Sequence, residues 1–226
     1  MLMKPASAYV AAPPVEYYLE DKFGDVLQRF DLPTKIACYD KGAEIFWEES
    51  ATDCVYQVTS GAVRNYKLLS DGRCQITAFY LAGDVFGLDC GAKRQTTADA
   101  IGKTTVKAVK RIELEAAASK ELCVTSLLRD LAIHDLEHAR NQMILLGRKT
   151  ALERVAAFLL EMDKRLPSTS TLPLPMNRRD IGDYLGLTLE TVSRALSQFH
   201  EQGIIDFVDA RHVALKNRDR LRYMES

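Results

Sequence analysis

Between Lys41 and about Arg111 the apolar residues come in short runs with an alternating character: KGAEIFWEE, CVYQVTSG, AVRNYKLLSDG, CQITAFYLAGD and TTVKAVKRI. The dipeptides Ser60-Gly61, Asp71-Gly72 and Gly83-Asp84 separate them at short, fairly regular intervals and read as turns. A period of two marks half-buried strands, and no helical pattern interleaves, so this stretch is predicted to be an antiparallel sandwich or roll. In TVKAVKRI the expected inward face is Val106, Ala108 and Ile112, with Thr105, Lys107 and Arg111 on the other side. Ahead of the strands, Phe23, Val26, Leu27 and Phe30 share one face of a short helix over 20–31, which Pro33 stops.

Around Glu113 the period becomes helical. From Val124 to Leu146 there is no proline or glycine, and Leu128, Ala132, Leu136, Ala139, Met143 and Leu146 recur at steps of four or three. That is a seam for a partner helix. The opposite side, with Leu127, Leu131, Ile133 and Leu145, is apolar as well. A helix with two apolar faces in a chain of this size packs one on its own domain and the other on a second copy, so a homodimer across this helix is expected. Gly147 hinges or ends it. ALERVAAFLLEMDKRL then reads as an amphipathic helix with Leu152, Val155, Phe158, Leu159 and Met162 inward, and PSTSTLPLP as a proline-rich linker.

In the stretch 180–203, DIGDYLGLTLETVSRALSQFHEQG, a helix stops and at once restarts. Asn177 is a good N-cap with Asp180 in the first turn beside the positive helix end. Gly186 permits the positive φ of a tight helix-to-helix turn. Thr188 caps a second helix that runs to about Gln202, and Gly203 ends it. Ile181, Leu185, Leu187, Val192 and Ala195 supply the apolar interior, and Gly182 is small where the two helices cross. This is a helix-turn-helix. Leu189, Glu190, Ser193 and Arg194 face away from that interior at the start of the second helix. An exposed Glu–Arg pair four residues apart is by itself a solvated ion pair of little energetic weight. On a recognition helix the same residues suit base edges: arginine bonds guanine O6 and N7 together, glutamate accepts from an exposed amino group, serine does either, and leucine touches a thymine methyl. IIDFVDARHVALKN adds a hairpin, or wing, around Asp209-Ala210-Arg211. Arg178, Arg179, Thr191, Arg211 and His212 are the expected phosphate contacts, which position a protein on DNA without specifying sequence.

Composition changes this picture little. Of 226 residues, 47% are hydrophobic and 27% charged, with a mean hydropathy of −0.14, enough apolar material for a real core. The net charge of −1 gives no global attraction to nucleic acid, so DNA binding rests on local pattern. Cys38, Cys54, Cys74, Cys90 and Cys123 are scattered without metal-ligand spacing and read as reduced thiols of a cytoplasmic protein. No apolar run reaches membrane-span length, and prolines interrupt the N-terminal stretch where a signal peptide needs continuity. No nucleophile elbow, Walker loop, metal-ligand set or paired-carboxylate motif points to an enzyme.

With these motifs in hand, the chain resembles the Crp/Fnr superfamily of bacterial transcription regulators. KGAEIFWEESATDCVYQVTSGAVRNYKLLSDGRCQITAFYLAGDVFGLD lies in its β-roll, MILLGRKTALERVAAFLLEM in its dimer-to-DNA region and MNRRDIGDYLGLTLETVSRALSQF in its helix-turn-helix. It is most similar to the FixK-type branch of alphaproteobacteria. The resemblance implies an α+β fold: a tail over 1–20, an antiparallel, cyclic-nucleotide-binding-like β-roll over 21–118, a dimerisation helix over 119–147 and a winged helix-turn-helix over 148–226. It maps the E-x-x-S-R reading motif onto Glu190, Ser193 and Arg194. It further implies TTGAT-type inverted repeats as targets, RNA polymerase as a partner, and microaerobic, denitrification or nitrogen-fixation genes under control.

The departures from that family bear on the effector. Residues 1–30 contain no cysteine and the later cluster-cysteine position falls near Ala108, which does not fit the four thiolates of an Fnr iron–sulfur cluster. In GLDCGAKRQTTADA, Asp89 and Thr96-Thr97 stand where the cyclic-AMP branch has a glutamate and an Arg-Ser pair, so a bidentate phosphate partner is not expected. His134 and His138 are four apart, but HDLEH is not a zinc pattern, and a solvated helix face is expected there. No cofactor or metal is expected. An effector-gated regulator of the same fold, responding to a cyclic nucleotide, haem or redox change, is the alternative.

Overall fold

The computed structural model describes residues 15–166 and 171–225. The first helix, α1 (Val15–Arg29), starts within the last residues of the expected tail, whose first fourteen positions lie outside the described residues. Eight strands follow: β1 (Thr34–Tyr39), β2 (Glu44–Phe46), β3 (Cys54–Ser60), β4 (Ala62–Leu68), β5 (Cys74–Leu81), β6 (Val85–Phe86), β7 (Thr97–Ala100) and β8 (Thr104–Lys110). They form two four-stranded antiparallel sheets in the orders β1-β8-β3-β6 and β2-β7-β4-β5. The roll expected from the alternating runs is therefore present. β1, β6 and β7 were not legible as strands: β6 has two residues, and β7 is the small, mixed stretch TADA, extended because it lies between β2 and β4.

Between the sheets lie Phe46, Val58, Val63, Phe86, Ala98 and Val106, with Tyr56 and Tyr80 stacked on Phe86. The outer face of the first sheet is covered as well. Val55, Val85 and Val109 pack under Phe23 and Leu27 of α1 and under the long helix. The inward face expected for TVKAVKRI is thus only part of the truth. β8 buries Val106 on one side and Val109 on the other. Ile112 is 69% exposed, because the chain turns into α2 (Arg111–Ala118) before reaching it.

The long helix α3 (Leu122–Arg148) carries Gly147 within it and ends at Lys149, whose extended backbone leads to Thr150. Thr150 and Glu153 form a reciprocal capping box that starts α4 (Ala151–Arg165). The expected proline-rich linker is a strand in part. β9 (Leu172–Pro173) pairs antiparallel with the strand over His212–Leu215, and Leu172, Leu174 and Met176 are buried. Proline is tolerated there because β9 is the edge of its sheet.

α5 (Arg178–Leu185), α6 (Leu189–Glu201), β10 (Ile205–Phe207), β11 (His212–Leu215) and α7 (Arg218–Glu225) complete the chain. Its largest core is continuous across the two halves. Ala62, Ile76, Phe79 and Leu81 of the roll join Phe158, Leu159 and Met162 of α4, Tyr184 of α5 and Phe199 of α6. Phe79 and Tyr184 have ring centroids 5.0 Å apart, so helix α5 is packed on strand β5 rather than tethered near it.

Candidate nucleic-acid interface

Local chemistry builds the helix-turn-helix as expected. The Asn177 side chain accepts from the N–H groups of Arg179 and Asp180 at 2.8 and 3.0 Å, and Asp180 accepts in return from the Asn177 N–H at 3.1 Å. Gly186 closes α5 in the left-handed region at φ 62°. Thr188 then accepts from the Thr191 N–H at 3.2 Å and opens α6. Ile181, Leu185, Val192, Ala195, Leu196 and Phe199 are buried between the helices and their neighbours.

On the opposite face of α6, Leu189, Glu190 and Arg194 are exposed, and Ser193 and Thr191 are half-buried. Glu190 lies below the usual carboxylate range, held there first by its own backbone N–H and then by the Thr188 hydroxyl, with Arg179 and Arg194 adding positive charge. It is an ionised acceptor at neutral pH. Arg194 is exposed, and its positive charge acts on Glu190 through space.

The five expected phosphate contacts separate into different settings. Arg179 is exposed at the start of α5. Arg178 is folded inward over the Phe207 ring at 5.3 Å, with Nη1 donating to Ser193 Oγ at 3.5 Å, so it joins the wing to α6. The Thr191 hydroxyl lies 3.1 Å from that of Thr188. His212 is tied within the wing turn, its Nδ1 2.8 Å from Asp209, while Arg211 is exposed beside it. Asp209 is held below the usual carboxylate range by the Arg211 N–H and the His212 ring.

The seam of α3 divides clearly. Val124, Leu127 and Leu131 are buried, the last two against the chain's own roll and α1. Ala132, Leu136, Ala139 and Met143 are exposed, Leu136 at 49% and Met143 at 73%, while Leu128 and Leu146 are half-buried. Ile133 and Ile144 add exposed apolar surface beside them.

One sequence expectation needs correction, and a second gains a structural reason. His138 does not sit on a solvated face: Nε2 is 3.1 Å from the Tyr184 hydroxyl, which itself donates to Glu161. The effector loop does contain an arginine, Arg94, two residues before Thr96. It is 1% exposed and turned into the roll, where Nη1 meets Asp89 and the Gly87 carbonyl at 2.8 and 2.7 Å and the guanidinium lies 4.2 Å from the Phe46 ring centroid. A β-carbon at Gly87 would stand 2.8 Å from that same Nη1, so the glycine makes room for the clamp. Sequence reasoning also missed the side chains that hold α5 from outside, Arg64, Gln75, Gln142 and Arg154. They lie as many as 116 positions away in sequence, and no local pattern marks them.

Comparison with known proteins agrees with this geometry. The pattern of the Crp-like helix-turn-helix domain matches residues 153–224, and that of the cyclic nucleotide-binding domain matches residues 37–121. The nitrogen fixation regulation protein FixK of Azorhizobium caulinodans is 38% identical over 98% of this chain and 94% of its own. The protein of the same name from Rhizobium meliloti is 40% identical over 84% of this chain and 87% of its own. The structure of FixK2 from Bradyrhizobium japonicum superposes with a TM-score of 0.85 at 55% identity, covering 86% of this chain and 98% of that one. With a fold that superposes on FixK2 and a sequence that matches the FixK proteins over most of its length, the chain belongs to the Crp/Fnr superfamily of DNA-binding transcription regulators, in the FixK-type branch.

Proposed function

We propose that the chain works as a homodimer whose paired α6 helices read TTGAT-type half-sites of an inverted repeat, activating genes of microaerobic respiration, denitrification or nitrogen fixation through contact with RNA polymerase. The observation that carries this reading is the exposed cluster of Leu189, Glu190 and Arg194, with Ser193 beside it, on a helix whose other face is fully packed. In a twofold dimer two such helices enter successive major grooves about 34 Å apart. The exposed seam of Ala132, Leu136, Ala139 and Met143, flanked by Leu128 and Leu146, supports pairing through α3. Arg179 and Arg211 are the exposed cations for phosphate, with Arg178, Thr191 and His212 shaping the surface between them.

This activity needs no small-molecule effector. A cavity of about 370 Å³ lies between the roll and α3, bounded by Asn65, Thr77, Tyr80, Asp89, Asp135 and Gln142 among others. Its lining includes two carboxylates and, among the described residues, no arginine or lysine, an unfavourable setting for a cyclic phosphate. The test is selection of random-sequence DNA by untreated dimer, followed by footprinting of the selected duplex. Recovery of a TTGAT-type inverted repeat is expected. A footprint that appears only after a cyclic nucleotide is added, with matching heat in calorimetry, overturns the effector-free reading.

A further inference from the structure

Helix α5 is held at both ends by the rest of the molecule. At its start, Arg64 of β4 bonds Asp99 of β7 through Nε and Nη2 at 2.7 and 2.8 Å, across a directly opposed strand pair. The third arm, Nη1, reaches Asp180 at 2.6 Å. Asp180 is the capping-box residue of α5, so one carboxylate closes the helix start and receives the roll. Both carboxylates are 5% exposed and Arg64 is 29% exposed. The two acids hold the Arg64 guanidinium well above its ordinary range.

At the other end of α5 the last carbonyls have no partners within the helix. Gln75 of β5 donates to those of Asp183 and Tyr184 at 2.9 and 3.3 Å. Gln142 of α3 donates to Tyr184 at 2.8 Å, and Arg154 of α4 to Leu185 at 2.9 Å. Side chains from β5, α3 and α4 thus converge on the end of the same helix. Such charge-assisted and side-chain-to-backbone bonds fix direction as well as distance.

We propose that Arg64 and Gln75 are positioning residues for DNA recognition: the β-roll serves as a fixed mount that aims α5, and with it α6, so that the reading face is set before DNA arrives. Neither residue touches DNA in this role. Both act through α5, and the inference rests on α6 being the groove-entering helix. Removing Arg64 leaves Asp99 and Asp180, two nearly buried carboxylates that had shared one guanidinium, to repel each other and push α5 off the roll. Gln75 is the milder lever, because its loss leaves the ion cluster whole.

The experiment compares wild type, Arg64→Gln and Gln75→Met by fluorescence anisotropy on two duplexes, one carrying the inverted repeat and one a single half-site. Hydrogen exchange of the α5 amides is measured in the DNA-free dimers. A mount that aims two helices at once matters for the repeat and little for the half-site. Arg64→Gln is expected to weaken repeat binding about tenfold, half-site binding less than twofold, and to leave the salt slope unchanged, since every cation facing a phosphate is still in place. Gln75→Met is expected to show the same pattern at about threefold, and it decides the matter if Arg64→Gln does not fold. Both should speed exchange in α5 while strands of the roll stay protected. Unchanged repeat affinity in a folded variant, equal losses on both duplexes, or unaltered α5 exchange overturns the proposal. Failure of the wild type to prefer the repeat over scrambled DNA instead strikes the reading of α6, and the exchange measurement then still decides the mount.

Discussion

The Leu187 carbonyl oxygen closes over Gly182, 2.7 Å from where a β-carbon on residue 182 would stand. No side chain fits there without parting the two helices of the motif. Gly182→Ala is therefore expected to destabilise by about 1–3 kcal/mol through forced backbone movement and to weaken DNA binding with it. Gly186→Ala, which strains a left-handed residue but meets no atom closer than 3.4 Å, should cost about 1–2 kcal/mol. Chemical denaturation of both variants, followed by anisotropy on the operator, checks the pair.

Base and phosphate recognition separate by their dependence on sequence and salt. Arg194→Ala should cost about 1–3 kcal/mol per half-site on the specific operator and leave binding to random DNA nearly unchanged. Arg179→Gln should weaken all sequences alike and lower the salt slope by about one for each phosphate it no longer neutralises. An Arg194→Ala protein that holds its operator as tightly as its parent would remove the reading assignment.

The seam on α3 makes a sharper demand. Leu136 and Met143 are exposed within one chain, so replacing both by glutamate should leave the fold intact and act on assembly alone. Loss of their burial is expected to cost at least about 3 kcal/mol, roughly a hundredfold or more in the dimer dissociation constant. Sedimentation equilibrium reads the outcome, with circular dichroism as the check on folding. A double variant that remains as dimeric as wild type would place the interface elsewhere.

Asp135 links pH to stability. Burial pushes its carboxyl up to about 6, with Asp84 and Asp89 adding to the rise and His134 opposing it. Because the folded value exceeds the ordinary 3.8, the folded state holds a proton that the unfolded chain releases between those two pH values. Stability from this group is whole at low pH and lost as pH climbs through about 6. Asp135→Asn should therefore be more stable than wild type at pH 8 by about 1–3 kcal/mol, with the gap closing toward pH 4. Urea midpoints of the two proteins across that range test the sign. A gap that widens on acidification contradicts it.

The helix-turn-helix was legible almost residue for residue, because caps and turns are decided within a few positions. Asn177, Gly186, Thr188 and Gly203 each satisfy or end a helix by bonds that span three or four residues, and a sequence displays such bonds directly. The apolar faces of α3 and α4 were legible for the same reason, since helical spacing is local. Strand β9 was hidden by Pro173 and by Pro175 just beyond it. The alternation of Leu172, Leu174 and Met176 was present all along, and only a partner strand made its first residues sheet and buried all three.

What the chain determined alone, then, was much of what short-range backbone chemistry sets: the caps and turn of the helix-turn-helix, the apolar faces of α3 and α4, and that Glu190, Ser193 and Arg194 stand together off the packed face of α6. The tertiary structure decided the destinations of buried charge. Arg94 folding inward to Asp89, Arg64 gripping Asp99 and Asp180, and His138 meeting Tyr184 all depend on residues brought together from distant elements. A buried charge must find a counter-charge or hydrogen-bond partner wherever the fold supplies one. That choice is made by three-dimensional proximity, which spacing along a sequence does not encode.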